Sequence, residues 1–132
     1  MAGGTGSERR FEGFVPGFWA VDAYGNGGFR FAGMSHRGSI LAAPSGISIW
    51  PAMQARDVDE TALAAILTED AGVDFFIIGT GAMLQPVSPD IRALLRERRI
   101  SCEVMTTPAA IRTYHVLASE ARRVAAGLIA VE

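Results

Sequence analysis

The chain has 132 residues, 49% hydrophobic and 20% charged, which suits one globular domain able to bury its own core without disulfides or metals. Its formal net charge of −2 argues against a nucleic-acid partner, although all 12 basic residues are Arg. The lone Cys102 excludes an intrachain disulfide, and no apolar run is long enough to span a bilayer as a helix.

Residues 1–10 are Gly-rich and polar, without the apolar segment of a secretory signal; they read as a disordered tail before a single α/β domain over 11–132. A cytoplasmic location is expected on these grounds. Phe11 to Phe18 surrounds Pro16-Gly17 and reads as an extended, turn-rich lead-in. Strands are predicted over 18–23 and 29–32, joined by the turn Tyr24-Gly25-Asn26-Gly27-Gly28, where Asn-Gly tolerates positive φ. Two more are predicted over 38–43 and 46–50, separated by Pro44-Ser45. The N-terminal half is thus a set of antiparallel hairpins.

The pattern changes at Asp57. Asp59 is a candidate N-cap, with Val58 and Leu63 as a hydrophobic staple; Asp57 with Glu60 is an alternative capping box. Leu63, Ile66 and Leu67 form one apolar helical face, and Gly72 is a natural stop. Phe75-Phe76-Ile77-Ile78 follows as an unbroken apolar run within 74–79, the pattern of a strand buried on both faces, and it ends at Gly79-Thr80-Gly81. Ser88-Pro89-Asp90 begins a second helix whose buried stripe is Ile91, Leu94 and Leu95; Arg96, Arg98 and Arg99 end it as a solvated turn complementing the helix dipole. A strand over 101–105 leads to Thr106-Thr107-Pro108, the same cap-plus-proline device, and to a helix reaching Glu120. Residues 124–131 suit strand or helix; a strand completes β-α-β-α-β. The expected architecture is α/β and three-layer, with a mainly parallel central sheet in the C-terminal half and the N-terminal hairpins packed beside it.

No catalytic constellation emerges. Gly79-Thr80-Gly81 is too short for a dinucleotide fingerprint, since Leu84 stands where a third glycine belongs, and no Lys is present to complete a phosphate loop. It is either a tight turn or a cradle for an anion or carbonyl. In a βαβαβ unit the Thr106-Thr107 helix start emerges at the same sheet edge, so Gly79, Thr80, Gly81, Thr106, Thr107 and Arg112 form a candidate ligand-binding crevice. Arg112 there forks onto a carboxylate or phosphate, or pairs with a structural acid. Ser35-His36-Arg37 is placed in a turn between strands, and its adjacent Ser and His are poorly placed for a triad. His115 reads as a packed or exposed histidine and Cys102 as a buried inert thiol. Trp19 and Trp50 are core residues, or partner anchors if exposed. Two His and one Cys, widely spaced, make no zinc set, and neither a metal nor a cofactor is expected.

Four segments together carry a family resemblance: 22–31 (Asp22 to Phe31), 35–40 (Ser35 to Ile40), 76–81 (Phe76 to Gly81), and Ala110-Ile111-Arg112-Thr113-Tyr114 through Arg122-Arg123-Val124. The chain resembles, from about residue 14 to 131, the domain family of unknown function that includes mitochondrial complex I assembly factor three and an adipogenesis-associated vertebrate protein, and looks like a bacterial-type member. The resemblance implies a three-layer α/β fold with hairpins beside the main sheet, and no catalytic residues. It also implies a non-catalytic, partner-binding assembly role, with an unidentified protein partner and peripheral association with inner-membrane complexes. The balance is against an enzyme; the competing expectation is a binder of, or enzyme acting on, an anionic metabolite at the Gly79–Thr107 crevice.

Overall fold

A computed structural model describes residues 10–132. The tail expected over 1–10 lies outside the described residues except for Arg10. In chain order the elements are β1 (Phe14–Pro16), β2 (Val21–Gly25), β3 (Gly28–Phe31), β4 (Met34–Arg37), β5 (Ile40–Ala43), β6 (Gly46–Ile49), α1 (Glu60–Leu67), β7 (Phe75–Gly79), α2 (Pro89–Glu97), β8 (Ser101–Met105), α3 (Thr107–Ser119) and β9 (Val124–Leu128). A short 3-10 turn at Ala55–Asp57 precedes α1.

The apolar run at Phe75–Ile78 is interior for the reason its composition demands. β7 lies between β9 and β8 and is parallel to both, so backbone pairing covers its two edges while its side chains enter cores on opposite faces. Phe76 and Ile78 join Leu41, Ala43 and Ala125 against Leu63 and Ile66 of α1 and Ile91 and Leu95 of α2. Ile77 joins Ile40, Ala42 and Leu128 in a second cluster with Ala110, Ile111 and Tyr114 of α3 and with Phe29, Phe31 and Met34 of the N-terminal strands. The helix starts form largely as their sequences specify. Asp59 accepts from the Ala62 N–H at 3.0 Å, and Ser88 accepts from the Asp90 N–H at 3.2 Å.

The sheet is mixed rather than mainly parallel. Its six strands run β1-β6-β5-β9-β7-β8, and only the β9-β7-β8 part is parallel. The expected hairpins therefore divide. β5 and β6 extend the main sheet, because Ile40–Ala43 is buried throughout and pairs antiparallel with β9. β2, β3 and β4 form a separate antiparallel sheet. Ser35-His36-Arg37 is not a turn: it lies in β4, paired with β3 through Phe29↔His36 and Arg30↔Ser35. Asn26 and Gly27 do supply the tight β2–β3 turn, both at positive φ (53° and 77°). Residues just past β9 tie back to the β2–β3 turn and to the β4–β5 link: the Gly27 N–H donates to Val131 O at 2.8 Å and the Ala130 N–H to Ser39 Oγ at 3.1 Å.

Candidate functional site

The three parallel strands end level with one another, since Gly79 is paired with both Met105 and Leu128. The three segments that follow are consequently neighbours. The Thr80 N–H donates to Met105 O and the Ile129 N–H to Gly79 O, both at 2.9 Å. Thr107 is fully buried, and its hydroxyl joins the other two segments: it donates to Ile129 O at 2.7 Å and accepts from the Gly81 N–H at 2.9 Å. The Thr107 N–H returns to Gly81 O at 2.9 Å. Thr80, also buried, donates its hydroxyl to Met83 O at 2.7 Å and accepts from the Gln85 N–H at 3.1 Å, which holds the loop beyond it.

The residue types at this junction follow from distance. A Cβ on Gly79 would stand 2.9 Å from Thr107 Cα, 2.9 Å from its Oγ1 and 3.0 Å from Ala110 Cβ, so the first turn of α3 reaches the β7 backbone only because residue 79 is glycine. Gly81 has φ +99°, the left-handed region needed to turn the chain into the loop. Thr106 is the N-cap of α3 but makes no capping bond with its side chain; the hydroxyl that matters is one residue later, and it serves the junction instead.

Gly79, Thr80, Gly81, Thr106 and Thr107 are thus brought together, as the parallel-strand argument requires. Arg112 is exposed on α3 and does not line the adjoining cleft. The N–H groups of Thr80, Gly81 and Thr107 all have acceptors inside the protein, which makes the junction a structural brace. Beside it opens a surface cleft of about 630 Å³, lined by Thr80, Gly81, Met83 and Gln85 on one side and by Met53 and Arg56 among the others. Met53 and Met83 are 81% and 69% exposed, and Leu84 beside them is 64% exposed. Exposed methionines in two separate loops leave no periodic trace in a sequence, so nothing in the sequence marks either one.

Other titratable groups lie elsewhere. His36 Nε2 is buried without a hydrogen-bond partner, and burial holds the imidazole below its ordinary pKa of 6.5. His115 accepts from the Val21 N–H at 3.0 Å, joining α3 to the small sheet as a packed histidine. Burial raises the Cys102 thiol, opposed by the positive charge of Arg92. On the exposed surface Arg123 forks onto Asp74 at 2.9 and 3.1 Å and keeps that carboxyl below its usual value, while Arg122 lies over the Phe75 ring, 4.5 Å from its centroid. Trp50 is core: its indole N–H donates to Ala62 O at 2.9 Å, and its ring occupies the space that a Cβ on Gly127 would need. Among the described residues no group of three or more His, Cys, Asp or Glu could hold a metal ion, and no helix is long and apolar enough to cross a membrane.

A mixed six-stranded sheet, a small antiparallel sheet and a closed Gly79–Thr107 junction beside an open cleft that includes Met53 and Met83 define a small α/β fold. The chain belongs to the family described as "Protein of unknown function (DUF498/DUF598)", which matches residues 21–129. It is similar to an uncharacterized protein of Rhodobacter capsulatus, at 34% identity over 92% of this chain and 90% of that protein. It is also similar to the mouse NADH dehydrogenase [ubiquinone] 1 alpha subcomplex assembly factor 3, at 27% identity over 83% of this chain; the match spans 59% of the mouse protein. The crystal structure of an outer membrane protein from Bartonella henselae is 47% identical, with a TM-score of 0.83, over 89% of this chain and 98% of that one.

Proposed function

We propose that the protein is a non-catalytic assembly module that binds a subunit of a membrane-bound NADH dehydrogenase while that complex is being built. It does so peripherally and from the cytoplasm. The observation carrying this reading is the similarity to assembly factor 3 across 83% of the chain. The cleft supports it physically. Thioether side chains are flexible and polarizable, and exposed methionines at a groove adapt to an apolar partner surface. An anionic metabolite held by Gly79, Thr80, Gly81, Thr106, Thr107 and Arg112 has less support, because the N–H groups of Thr80, Gly81 and Thr107 already have acceptors and Arg112 stands apart from the cleft.

The test is site-specific photo-crosslinking in native cells, with the photoreactive group at position 53 or 83, and at exposed Val116 on α3 as the control. Crosslinks from 53 and 83, and not from 116, to an NADH dehydrogenase subunit are expected. Crosslinks to unrelated proteins only, or equal yield from all three positions, would overturn the proposal.

A further inference from the structure

β8 ends the six-stranded sheet and is paired with β7 alone. The Ser101 N–H donates to Asp74 O and Met105 O accepts from the Thr80 N–H, both at 2.9 Å. In a parallel ladder this phase commits Ser101, Glu103 and Met105 to β7, so Cys102 and Val104 direct their N–H and C=O groups to the open edge. Such edges are normally blunted by proline, charged side chains, a bulge or a covering loop. β8 has no proline and its register with β7 is unbroken; its one charged residue, Glu103, stands beside three arginines.

What stands beside the edge is positive charge. Arg92 and Arg96, one turn apart on α2, and Arg99 just beyond its end line a groove of about 440 Å³ together with Ser101, Cys102 and Glu103. Among the described residues none of the three arginines has an ion-pair partner within 4.0 Å, and Glu103 is the one acid in the lining. Like charges one helical turn apart repel, so the stripe is disfavoured on its own and suited to an incoming anion.

We propose that β8 accepts an extended acidic segment of a partner protein as a seventh strand, whose backbone pairs with Cys102 and Val104 and whose carboxylates meet Arg92, Arg96 and Arg99. Main-chain pairing would supply affinity and the arginines selectivity. A second copy of this chain is the wrong occupant: two-fold pairing through β8 would set one arginine stripe against the other. Single-stranded nucleic acid is disfavoured because no aromatic side chain lines the groove for bases to stack on. The inference concerns a different surface from the methionine cleft and stands whether or not the chain serves NADH dehydrogenase.

The test uses a fluorescein-labelled peptide of about ten residues alternating Glu and Val, long enough to span a strand. Its binding to the full chain is measured by fluorescence anisotropy, and amide exchange is followed by NMR. The expected result is saturable binding weakened at least about tenfold when Gln replaces Glu in the peptide, or in the Arg92→Ala/Arg96→Ala/Arg99→Ala variant. Exchange at the Cys102 and Val104 amides should slow at least about tenfold on binding, a readout that charge attraction alone would not move. Absence of saturable binding, indifference to the triple variant, unchanged exchange at both amides, or tighter binding of a labelled oligothymidylate would each overturn the proposal.

Discussion

Replacing Gly79 with Ala adds one methyl group at the point where α3 lies against β7. Gly79 is not at positive φ, so the backbone tolerates alanine, and the lost flexibility of the unfolded chain would by itself favour the variant by about 0.4–1 kcal/mol. Opposing this, the new Cβ would lie 2.9 Å from Thr107 Cα and 2.9 Å from Thr107 Oγ1. The first of these is helix backbone and cannot rotate away. Overpacking of this kind costs about 1–3 kcal/mol. Moving α3 outward also stretches the buried bonds from Thr107 to Ile129 O and Gly81 N, each worth about 1 kcal/mol. The net expectation is a destabilisation of about 2–3 kcal/mol, or about 8–12 °C in Tm for a domain of this size, with the urea m-value unchanged. Gly81→Ala is the internal comparison. Its Cβ would meet Ile129 Cγ2 at 3.8 Å and Ala130 O at 4.0 Å, both ordinary contacts, so its cost, about 1–2 kcal/mol, comes from φ +99°. A Gly79→Ala protein as stable as the parent, or a larger loss at Gly81 than at Gly79, would refute the close approach of α3 to β7.

Thr107→Val keeps the shape but leaves Gly81 N–H and Ile129 O unpaired in the interior; a loss of about 2–4 kcal/mol by urea denaturation is expected, with Thr107→Ser recovering most of it. Gly127→Ala should displace the Trp50 ring, whose atoms lie 2.5–2.7 Å from the added Cβ, costing about 1–3 kcal/mol. In a Trp19→Phe background that displacement should appear as red-shifted tryptophan emission, and an unshifted spectrum would contradict the packing. His36 predicts a pH dependence. Its pKa is lowered by burial, so the unfolded chain protonates first; its contribution to stability is complete above 6.5 and is lost as pH falls through the window below that value. Between about pH 7 and about pH 5 the parent should lose Tm more steeply than His36→Phe, whereas the Asp74–Arg123 pair contributes its own loss only at more acid pH, below 3.8. Equal slopes for parent and variant would count against a half-buried His36 whose protonation is opposed by burial.

The parallel part of the fold is legible because each piece announces itself locally. Phe75–Ile78 is apolar without interruption, Ser88-Pro89 and Thr106-Thr107-Pro108 mark helix starts, and the crossover rule then fixes which loops meet. The antiparallel part depends on partners distant in sequence. β5 pairs with β9, as in Ile40↔Leu128, and nothing near Ile40 specifies that choice, although the unbroken burial of Ile40–Ala43 resembles that of β7 and would have justified an interior position. β4 escapes notice because Ser35-His36-Arg37 is polar and flanked by Gly33 and Gly38, a turn composition that pairing with β3 overrides. Within the junction the sequence indicates the meeting of Gly79–Gly81 with the α3 start, but not the use of the donors there; Thr107 bonding to Ile129 O can be known only once β9 is in place. The methionine cleft joins Met53 and Met83 from loops with no shared pattern, which is why no motif reveals it.

The assembly role proposed for the cleft lined by Met53 and Met83 makes the level of a membrane-bound NADH dehydrogenase depend on this protein. The direct measurement is the amount of fully assembled complex, resolved on native gels of membranes from cells lacking the protein, with rescue by the parent chain or by a folded Met53→Asp/Met83→Asp variant. The assembled complex is expected to fall in the deletion, to return with the parent and not to return with the double variant. A normal level of assembled complex in the deletion would contradict it.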